Sequence, residues 1–492
     1  MTSKPSYYEI LGLPKEATQE EVRRAYRELS LSQHPDINRS PGANTQFLNL
    51  KEAFETLSNP ARRKEYDQRL TQESDAPILE YTLYSRTRLP DLKEPQLLYA
   101  YLDYAVSEKY ASQVTPTLNY CLVIDRSTSM QGERLDTVKA AAIELIRQSK
   151  ESDVLSLVTF SDRAEVVLPA KRYPDHRSLE AQVHFIQASG GTEIYQGLEA
   201  GFQQIQWNQN RSLVNHLILI TDGHTYGDNL ACIDLANRAA SQGVCITALG
   251  IGSDWNDEFL DTLTQITGGN TYYIAKTSDL RKLMQEKFAS LNQVFAERVS
   301  LKLKPAQRVA LGGVYRLQPE ATPLNVSEQI NLGSILRDTN LSILLEFIVQ
   351  PVDEDLYRRE IANGTVSLIL PSDPSSVHRI PVTLSRVVGS LDKKEKPPQE
   401  IIQALTHITL YRMQERARQE ASAGKIDEAS SRLQRLATQF LSIGEKDLAQ
   451  TALMEAERIQ QTSMLSPEGE KAIKYATRSL MLPSKGKEER QY

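Results

Sequence analysis

The first seventy residues show the spacing of a helical hairpin. Apolar side chains recur at helical intervals from Val22 to Leu29 and again from Phe47 to Leu57. Thr18 and Glu21 have the spacing of a capping box, which satisfies backbone donors at a helix start. The first helix is expected to end before Pro35, because proline disfavours helical geometry in the preceding residue. The pattern predicts two antiparallel helices with Pro35 in the loop between them.

A different pattern fills the centre of the chain. Continuous apolar runs at 122–124, 154–160, 217–220 and 245–249 alternate with segments of helical spacing. Such runs are typical of parallel strands that are buried on both faces. Alternation of strands and helices predicts a doubly wound α/β domain. Its chemistry is expected at the carboxyl ends of the strands.

The segments on either side of this domain are predicted to form β-strands. Apolar and polar residues alternate over parts of 79–117 and 296–388, which predicts one antiparallel β-sandwich with the α/β domain inserted between its two parts. Helical spacing returns after residue 400, with Gly424 and Gly444 at the turns, so a three- or four-helix bundle is expected. A tetratricopeptide-like repeat is the weaker interpretation of these helices.

We therefore predict a multidomain chain with an all-α hairpin, a doubly wound α/β domain, a flanking antiparallel β-sandwich and a C-terminal helical bundle. The predicted boundaries are 1–70 for the hairpin domain, 71–78 for a linker, 79–117 for the first sandwich strands, 118–290 for the α/β domain, 296–388 for the sandwich, 389–399 for a linker, 400–482 for the helices and 483–492 for a disordered tail.

Composition narrows the classes of function. Of the 492 residues 40% are hydrophobic and 24% charged, as in ordinary globular proteins. The net charge of -6 provides no basic field for a phosphate backbone, so nucleic acid is not an expected partner. The three cysteines form no CxxC pair, and no apolar run reaches the roughly 18 residues of a membrane span. These features predict a cytoplasmic protein without a membrane partner.

Four motifs in order give the N-terminal region a family resemblance. They are Tyr7–Gly12, the tripeptide His34–Asp36, Lys51–Leu57 and Glu65–Asp67. With them, residues 6–69 resemble the J domain of the DnaJ family. The resemblance implies docking on a DnaK-type ATPase and stimulation of its ATP hydrolysis. The residues that it assigns to this docking are Arg23, Arg24, Arg27, His34, Pro35 and Asp36.

The chain departs from the DnaJ family in two respects. The family usually carries further basic residues just before the tripeptide, whereas here the segment is Glu28–Gln33. Electrostatic steering onto an acidic ATPase surface should therefore be weaker. The zinc-binding repeats and the glycine-phenylalanine linker of the family are also missing after Leu70.

Oxygen-bearing side chains follow the strands of the central domain. Asp125, Ser127 and Ser129 lie in one loop, and Thr192 and Asp222 are expected at the ends of neighbouring strands. Carboxylate and hydroxyl oxygens suit Mg²⁺ or Mn²⁺ better than zinc. The alternative is that the serines cap a helix and the other two residues form turns.

These five positions carry the second resemblance. Residues 118–288 resemble the von Willebrand factor A (vWA) fold, in which DxSxS with a distant threonine and aspartate forms a metal-ion-dependent adhesion site. The resemblance implies that the ion is held by Asp125, Ser127, Ser129, Thr192 and Asp222. An acidic side chain of a protein partner would fill the ion's open position. Asp254, Asp257 and Glu258, further on, are expected to form an exposed acidic turn, the alternative being that they add to the rim of the metal site.

The two resemblances together favour a co-chaperone or adaptor without a catalytic centre. Its vWA domain would bind a protein client or complex through the metal while its J domain recruits the ATPase. One alternative is a metal-dependent assembly scaffold with a weakly active J domain. Another is a Mg²⁺-dependent phosphoester hydrolase, for which His224 is the nearest candidate base.

Overall fold

The structure is a computed structural model that describes most of the chain. The described residues are 7–14, 17–32, 43–64, 66–67, 76–86, 88–90, 93–111, 115–173, 177–223, 227–351, 358–389 and 396–480. The predicted tripeptide His34–Asp36, His224 and the tail 483–492 lie outside these ranges. The chain forms two compact units, one of residues 1–79 with 390–396 and one of residues 80–389 with 397–492.

The first unit contains the predicted helical hairpin. Its helices are α1 (Tyr7–Ile10), α2 (Gln19–Ser32) and α3 (Ala43–Leu57). The capping box is formed, since the backbone N–H of Thr18 donates to Glu21 Oε2 at 2.6 Å. Gln19 at the start of α2 donates to the carbonyl of Leu57 at the end of α3, as expected for antiparallel helices. The buried core comprises Tyr8, Leu11, Ala17, Val22, Leu50, Ala53, Leu57 and Tyr66.

The second unit is built around a six-stranded sheet with the order β6-β5-β4-β7-β8-β9. Its strands are β4 (Thr117–Asp125), β5 (Val154–Phe160), β6 (Ala164–Lys171), β7 (Leu213–Thr221), β8 (Cys245–Ile251) and β9 (Thr271–Ile274). All neighbours pair in parallel except β5 and β6. The antiparallel edge strand was not predicted; it has a short apolar run, Val166–Leu168, but only Leu168 of β6 is buried.

Helices cover both faces of this sheet, which confirms the doubly wound α/β fold. Successive residues of β4 enter different cores, with Leu122 on one face and Val123 on the other. The first core also contains side chains of three helices, α5 (Glu133–Gln148), α6 (Arg177–His184) and α10 (Thr277–Asn292). The second contains those of α7 (Ile194–Trp207), α8 (Asn229–Gln242) and α9 (Asp257–Thr267).

Two antiparallel sheets make up the predicted sandwich. The order of one sheet is β1-β3-β14-β11-β12, and that of the other is β13-β10-β15-β16-β2, in which β2 pairs in parallel. The bounds are β1 (Ile78–Tyr84), β2 (Arg88–Leu89), β3 (Gln96–Val106), β10 (Val294–Pro305), β11 (Val309–Gln318), β12 (Thr322–Leu324), β13 (Gln329–Leu336), β14 (Leu341–Val349), β15 (Arg358–Leu370) and β16 (Asp373–Val388). Because β3 pairs with β14, strands from before and after the α/β domain share one sheet. A short helix, α4 (Glu108–Ala111), follows β3.

The C-terminal segment is helical, as predicted. Its helices are α11 (Gln399–Ser422), α12 (Ile426–Ser442), α13 (Lys446–Thr462) and α14 (Pro467–Leu480). Gly424 and Gly444 adopt positive φ angles of 74° and 87° at the first two turns, where other residues would be strained. Within the described part of the chain, no helix is both long and apolar enough to cross a membrane.

A buried acid on β10 gives a prediction about stability. Glu297 is buried, and this burial raises its pKa to about 8 despite the opposing influence of Arg298. The folded protein therefore keeps the proton between pH 4.5 and 8, whereas the unfolded chain releases it. We expect the free energy of unfolding to fall by roughly 1 kcal/mol per pH unit as the pH rises through this window.

Glu297→Gln should abolish this fall in the free energy of unfolding with rising pH, because glutamine mimics the protonated acid. Urea unfolding at several pH values measures the slope of the free energy of unfolding against pH. Glu328→Gln, at an exposed position in the loop between β12 and β13, is the matched control and should keep the wild-type slope. Equal slopes in all three proteins would contradict the prediction.

Candidate functional site

The site begins where the central strand β4 ends. Asp125 is the last residue of the strand and is buried. Its Oδ1 accepts a hydrogen bond from the backbone N–H of Ser127 at 2.8 Å, and its Oδ2 accepts from Thr221 Oγ1 at 2.6 Å. The neighbouring strands β4 and β7 thus fix both oxygens of one carboxylate.

The two serines connect Asp125 to the second predicted carboxylate. Ser127 Oγ lies 3.1 Å from Ser129 Oγ, and Ser129 Oγ donates to Asp222 Oδ1 at 2.7 Å. Asp222 is buried directly after β7. Four of the five predicted metal ligands therefore share one hydrogen-bonded cluster at the carboxyl edge of the parallel sheet.

Thr192 reaches the same edge from the loop between α6 and α7, so the prediction that it follows a strand was wrong. The backbone N–H of Thr128 donates to the carbonyl of Gly190 at 3.0 Å, which holds this loop against the first one. A β-carbon placed on Gly223 would lie 3.1 Å from Thr192 Oγ1. Residue 223 follows Asp222 directly, so Thr192 packs beside the aspartate. The structure brings together all five side chains that the sequence singled out.

The electrostatics of this cluster favour a cation. Burial raises the pKa of Asp125 to about 6, and the charge of Asp222 adds to the shift. Two buried carboxylates in one cluster repel each other unless a positive charge neutralises them. Two carboxylates and three hydroxyls form a hard oxygen set, which fits Mg²⁺ or Mn²⁺. The described residues contain no group of three or more His, Cys, Asp or Glu arranged to hold a metal.

Sequence reasoning missed Arg134 in the first turns of α5. Its Nη1 forms an ion pair with Asp222 Oδ2 and lies 3.5 Å from the carbonyl of Ser129. The side chain is partly exposed, whereas the carboxylate that it contacts is buried. In the sequence Arg134 looks like any solvated helix arginine, so no local signal could have revealed this contact.

The expected acidic turn after β8 was wrong for Asp257. This residue, with Asp261, contacts helices of the C-terminal segment. Asp257 Oδ2 lies 3.1 Å from Arg418 Nη1, and Asp261 Oδ2 lies 2.6 Å from Arg478 Nη2. Glu258 is exposed, as predicted, and it also pairs with Arg418. Pairing partners some 160–217 positions away could not be read from the turn itself.

The predicted chaperone-binding face lies on α2 of the first unit. Arg23, Arg24 and Arg27 are all exposed on this helix. Leu31, one turn further, has 72% of its surface exposed. The end of α2 thus presents an exposed apolar side chain beyond the three arginines. The tripeptide His34–Asp36 lies outside the described residues.

Family models match three parts of the chain. The DnaJ domain model matches residues 6–67, and the von Willebrand factor type A domain model matches residues 120–286. A third model, the Sll0103-like C-terminal alpha-helical domain, matches residues 399–483. The chain is therefore a J-domain protein that also carries a vWA domain and a C-terminal helical domain of this type.

Two relatives extend these matches. The chain is 29% identical over 334 residues to "Uncharacterized protein sll0103" of Synechocystis, covering 64% of this chain and 77% of that protein. It is 50% identical over 68 residues to the chaperone protein DnaJ of Dictyoglomus thermophilum. This second match covers 14% of the chain and 17% of the DnaJ protein, so it is confined to the J domain.

Solved structures share the architecture of the second unit. A von Willebrand factor type A protein from Catenulispora acidiphila aligns with a TM-score of 0.66 at 15% identity, covering 82% of this chain and 96% of that one. The ArnB paralog VWA2 from Sulfolobus acidocaldarius aligns with a TM-score of 0.51 at 14% identity, covering 83% and 100%. At these identities the likeness is one of fold.

Proposed function

We propose that this protein is a J-domain co-chaperone, or adaptor, whose vWA domain binds a protein partner through a divalent metal ion. The observation that carries the proposal is the convergence of Asp125, Ser127, Ser129, Thr192 and Asp222 in a chain that also has a J domain. One surface would select the client, and the other would recruit a DnaK-type ATPase to it.

The proposed role of the J domain is to bind the ATPase and hold it in place. The exposed arginines at 23, 24 and 27 form a positive face on α2, which complements an acidic groove on the ATPase. By the resemblance to the DnaJ family, the tripeptide His34–Asp36 would contribute to the same docking. The J domain supplies contacts only, and the ATPase supplies the hydrolysis.

The vWA domain would hold its ion with Asp125, Ser127 and Ser129, with Thr192 and Asp222 completing the shell directly or through water. When bound, Mg²⁺ or Mn²⁺ supplies an open coordination position that a partner carboxylate can fill. The buried carboxylates give the site the negative charge that retains a divalent cation. We assign no catalytic residue to this edge of the sheet.

The test of the J domain is steady-state ATP hydrolysis by the host's DnaK-type chaperones, with and without this protein. We expect stimulation that is lost in His34→Gln and strongly reduced in Arg24→Glu. Arg62→Glu changes an exposed arginine outside α2 and serves as the matched control. If none of the chaperones is stimulated, the assembly-scaffold alternative replaces the co-chaperone proposal.

The metal site is tested by Mn²⁺ binding, followed by electron paramagnetic resonance, with Mg²⁺ as the competitor. We expect one bound ion per chain, and at least a hundredfold weaker binding in Asp125→Asn. Asp234→Asn, at an exposed position on α8, should bind as the wild type does. Retained binding in a folded Asp125→Asn protein would exclude this site.

A further inference from the structure

Arg134 lies between the candidate metal site and a loop that follows β8. Its Nη1 pairs with Asp222, while its Nη2 lies against the bare α-carbon of Gly252, where an added β-carbon would be 3.3 Å away. Gly252 adopts a φ of 70°, a conformation that strains other residues. One guanidinium group therefore contacts both the metal site and residues 252–256, which we name the β8–α9 loop.

Helix α14 of the C-terminal domain holds this loop from its other side. Lys471 Nζ donates to the carbonyl of Ser253 at 2.9 Å, and Ser253 Oγ donates to Glu468 Oε1 at 2.8 Å. Trp255 is buried in the loop, with its Nε1 bonded to the carbonyl of Gly252 at 2.8 Å. Lys471 also lies over the Trp255 ring, 5.0 Å from its centroid. Three different contacts thus join the loop to α14.

Buried ion pairs anchor α14 just beyond the loop. Lys474 lies 2.8 Å from Asp261, and it also pairs with Asp257. Arg478 adds a second contact to Asp261, at 2.6 Å. Because these charges are largely buried, they fix the position of α14 more firmly than surface pairs would. Because α14 is held in place, a movement of the β8–α9 loop relative to α14 would disturb the contacts of Lys471 and Glu468 with Ser253.

We propose that cation binding at the metal site is coupled to the C-terminal helical domain through Arg134 and the β8–α9 loop. The proposal rests on the metal site proposed above. An ion on the Asp222 side of the cluster competes with Arg134 for the negative charge of that carboxylate. The weakened pair releases the guanidinium, and its contact with Gly252 changes. By thermodynamic linkage, the docking of α14 must alter the affinity for the ion by the same factor.

This coupling would allow the C-terminal helical domain to regulate the metal-dependent binding of a client. A partner that binds to or displaces these helices would tune the metal-dependent capture of a client. The affinity change expected for such coupling is on the order of 5- to 150-fold. The contact chain from Asp222 to α14 is short and continuous, so no rearrangement of the sheet is needed.

Trp255 provides a built-in reporter for this contact. The chain has two tryptophans, and the other one, Trp207, has 68% of its surface exposed at the end of α7. Full-length Trp207→Phe protein therefore reports the loop alone. We would titrate it with MgCl₂, follow Trp255 emission, and measure binding separately by calorimetry. We expect a saturable emission change whose midpoint matches the calorimetric dissociation constant.

Two variants locate the coupling. Arg134→Gln should still bind Mg²⁺, but its emission change should fall below one fifth of the reference value. Lys471→Met should alter the Mg²⁺ dissociation constant at least fivefold, whereas Lys446→Met, exposed on α13, should leave it unchanged. Mg²⁺ binding without an emission change, or an undiminished change in Arg134→Gln, would overturn the coupling alone. Folded protein that binds no Mg²⁺ would overturn both the metal site and the coupling.

Discussion

Asp261→Asn is expected to lower the free energy of unfolding of the second unit by about 3–5 kcal/mol, the usual cost of removing one partner from a buried ion pair. Asp261 accepts hydrogen bonds from both terminal nitrogens of Arg478, at 2.8 and 2.6 Å, and contacts Lys474 at 2.8 Å. The asparagine would leave the buried Arg478 without its carboxylate and Lys474 with Asp257 alone. Urea unfolding, followed by Trp255 emission, measures the loss.

The pKa of Asp261 gives the sign of the pH dependence. Burial alone would raise this pKa, but Arg478 and Lys474 reverse the shift and lower it to about 2. The carboxylate therefore stabilises the fold fully above its ordinary pKa of 3.8, and the stabilisation is lost as the pH falls from there towards 2. Asp261→Asn should remove this acid-sensitive contribution.

Glu258→Gln is the matched control for Asp261→Asn. Glu258 lies on the same helix and pairs with Arg418 of the C-terminal domain, but 72% of its side chain is exposed. We expect a change of about 0–1 kcal/mol, as for other surface ion pairs. Equal losses in the two variants would show that burial does not determine the strength of this contact.

Helix α9 connects three parts of the second unit. Its first turns carry Asp257 and Asp261, which bind the C-terminal helices, and its last turn is held by the sandwich. There Asn331 Nδ2 donates to the carbonyl of Ile266 at 2.6 Å. The β8–α9 loop just before the helix contacts Arg134 beside the metal site. A change at any of these contacts can therefore reach the others through one rigid element.

Local patterns were sufficient to predict the architecture and the convergence of the loops that carry Asp125 and Asp222. The strand that ends at Asp125 is a continuous apolar run, and parallel strands bring their carboxyl ends to one edge. The position of Thr192 was expected from the vWA resemblance, because its loop joins two helices and follows no strand. The helical hairpin was equally accessible, because its apolar spacing and capping box are short-range signals.

Contacts between distant segments could not be predicted in this way. Arg134, Asp257 and Asp261 all lie at positions where a charged residue is ordinarily solvated. Their partners are set by how α5, α9 and α14 pack, and neither periodicity nor loop composition encodes this. The antiparallel strand β6 was also missed, because its short apolar run, Val166–Leu168, does not show that it pairs antiparallel at the edge of a parallel sheet.

Arg316→Met is expected to destabilise the second unit by about 3–5 kcal/mol, because the buried guanidinium satisfies several buried acceptors where the sandwich meets the end of α9. Its guanidinium donates to the carbonyls of Gly268 and Leu332 at 2.9 and 2.8 Å and to Asn270 Oδ1 at 2.6 Å. Methionine would fill similar space but leave these acceptors unpaired, each at a cost of about 1–3 kcal/mol before water enters. Thermal and urea unfolding would measure the loss, with exposed Arg379→Met on β16 as the control. A loss no larger than that of the control would mean that the sandwich holds α9 by apolar packing alone.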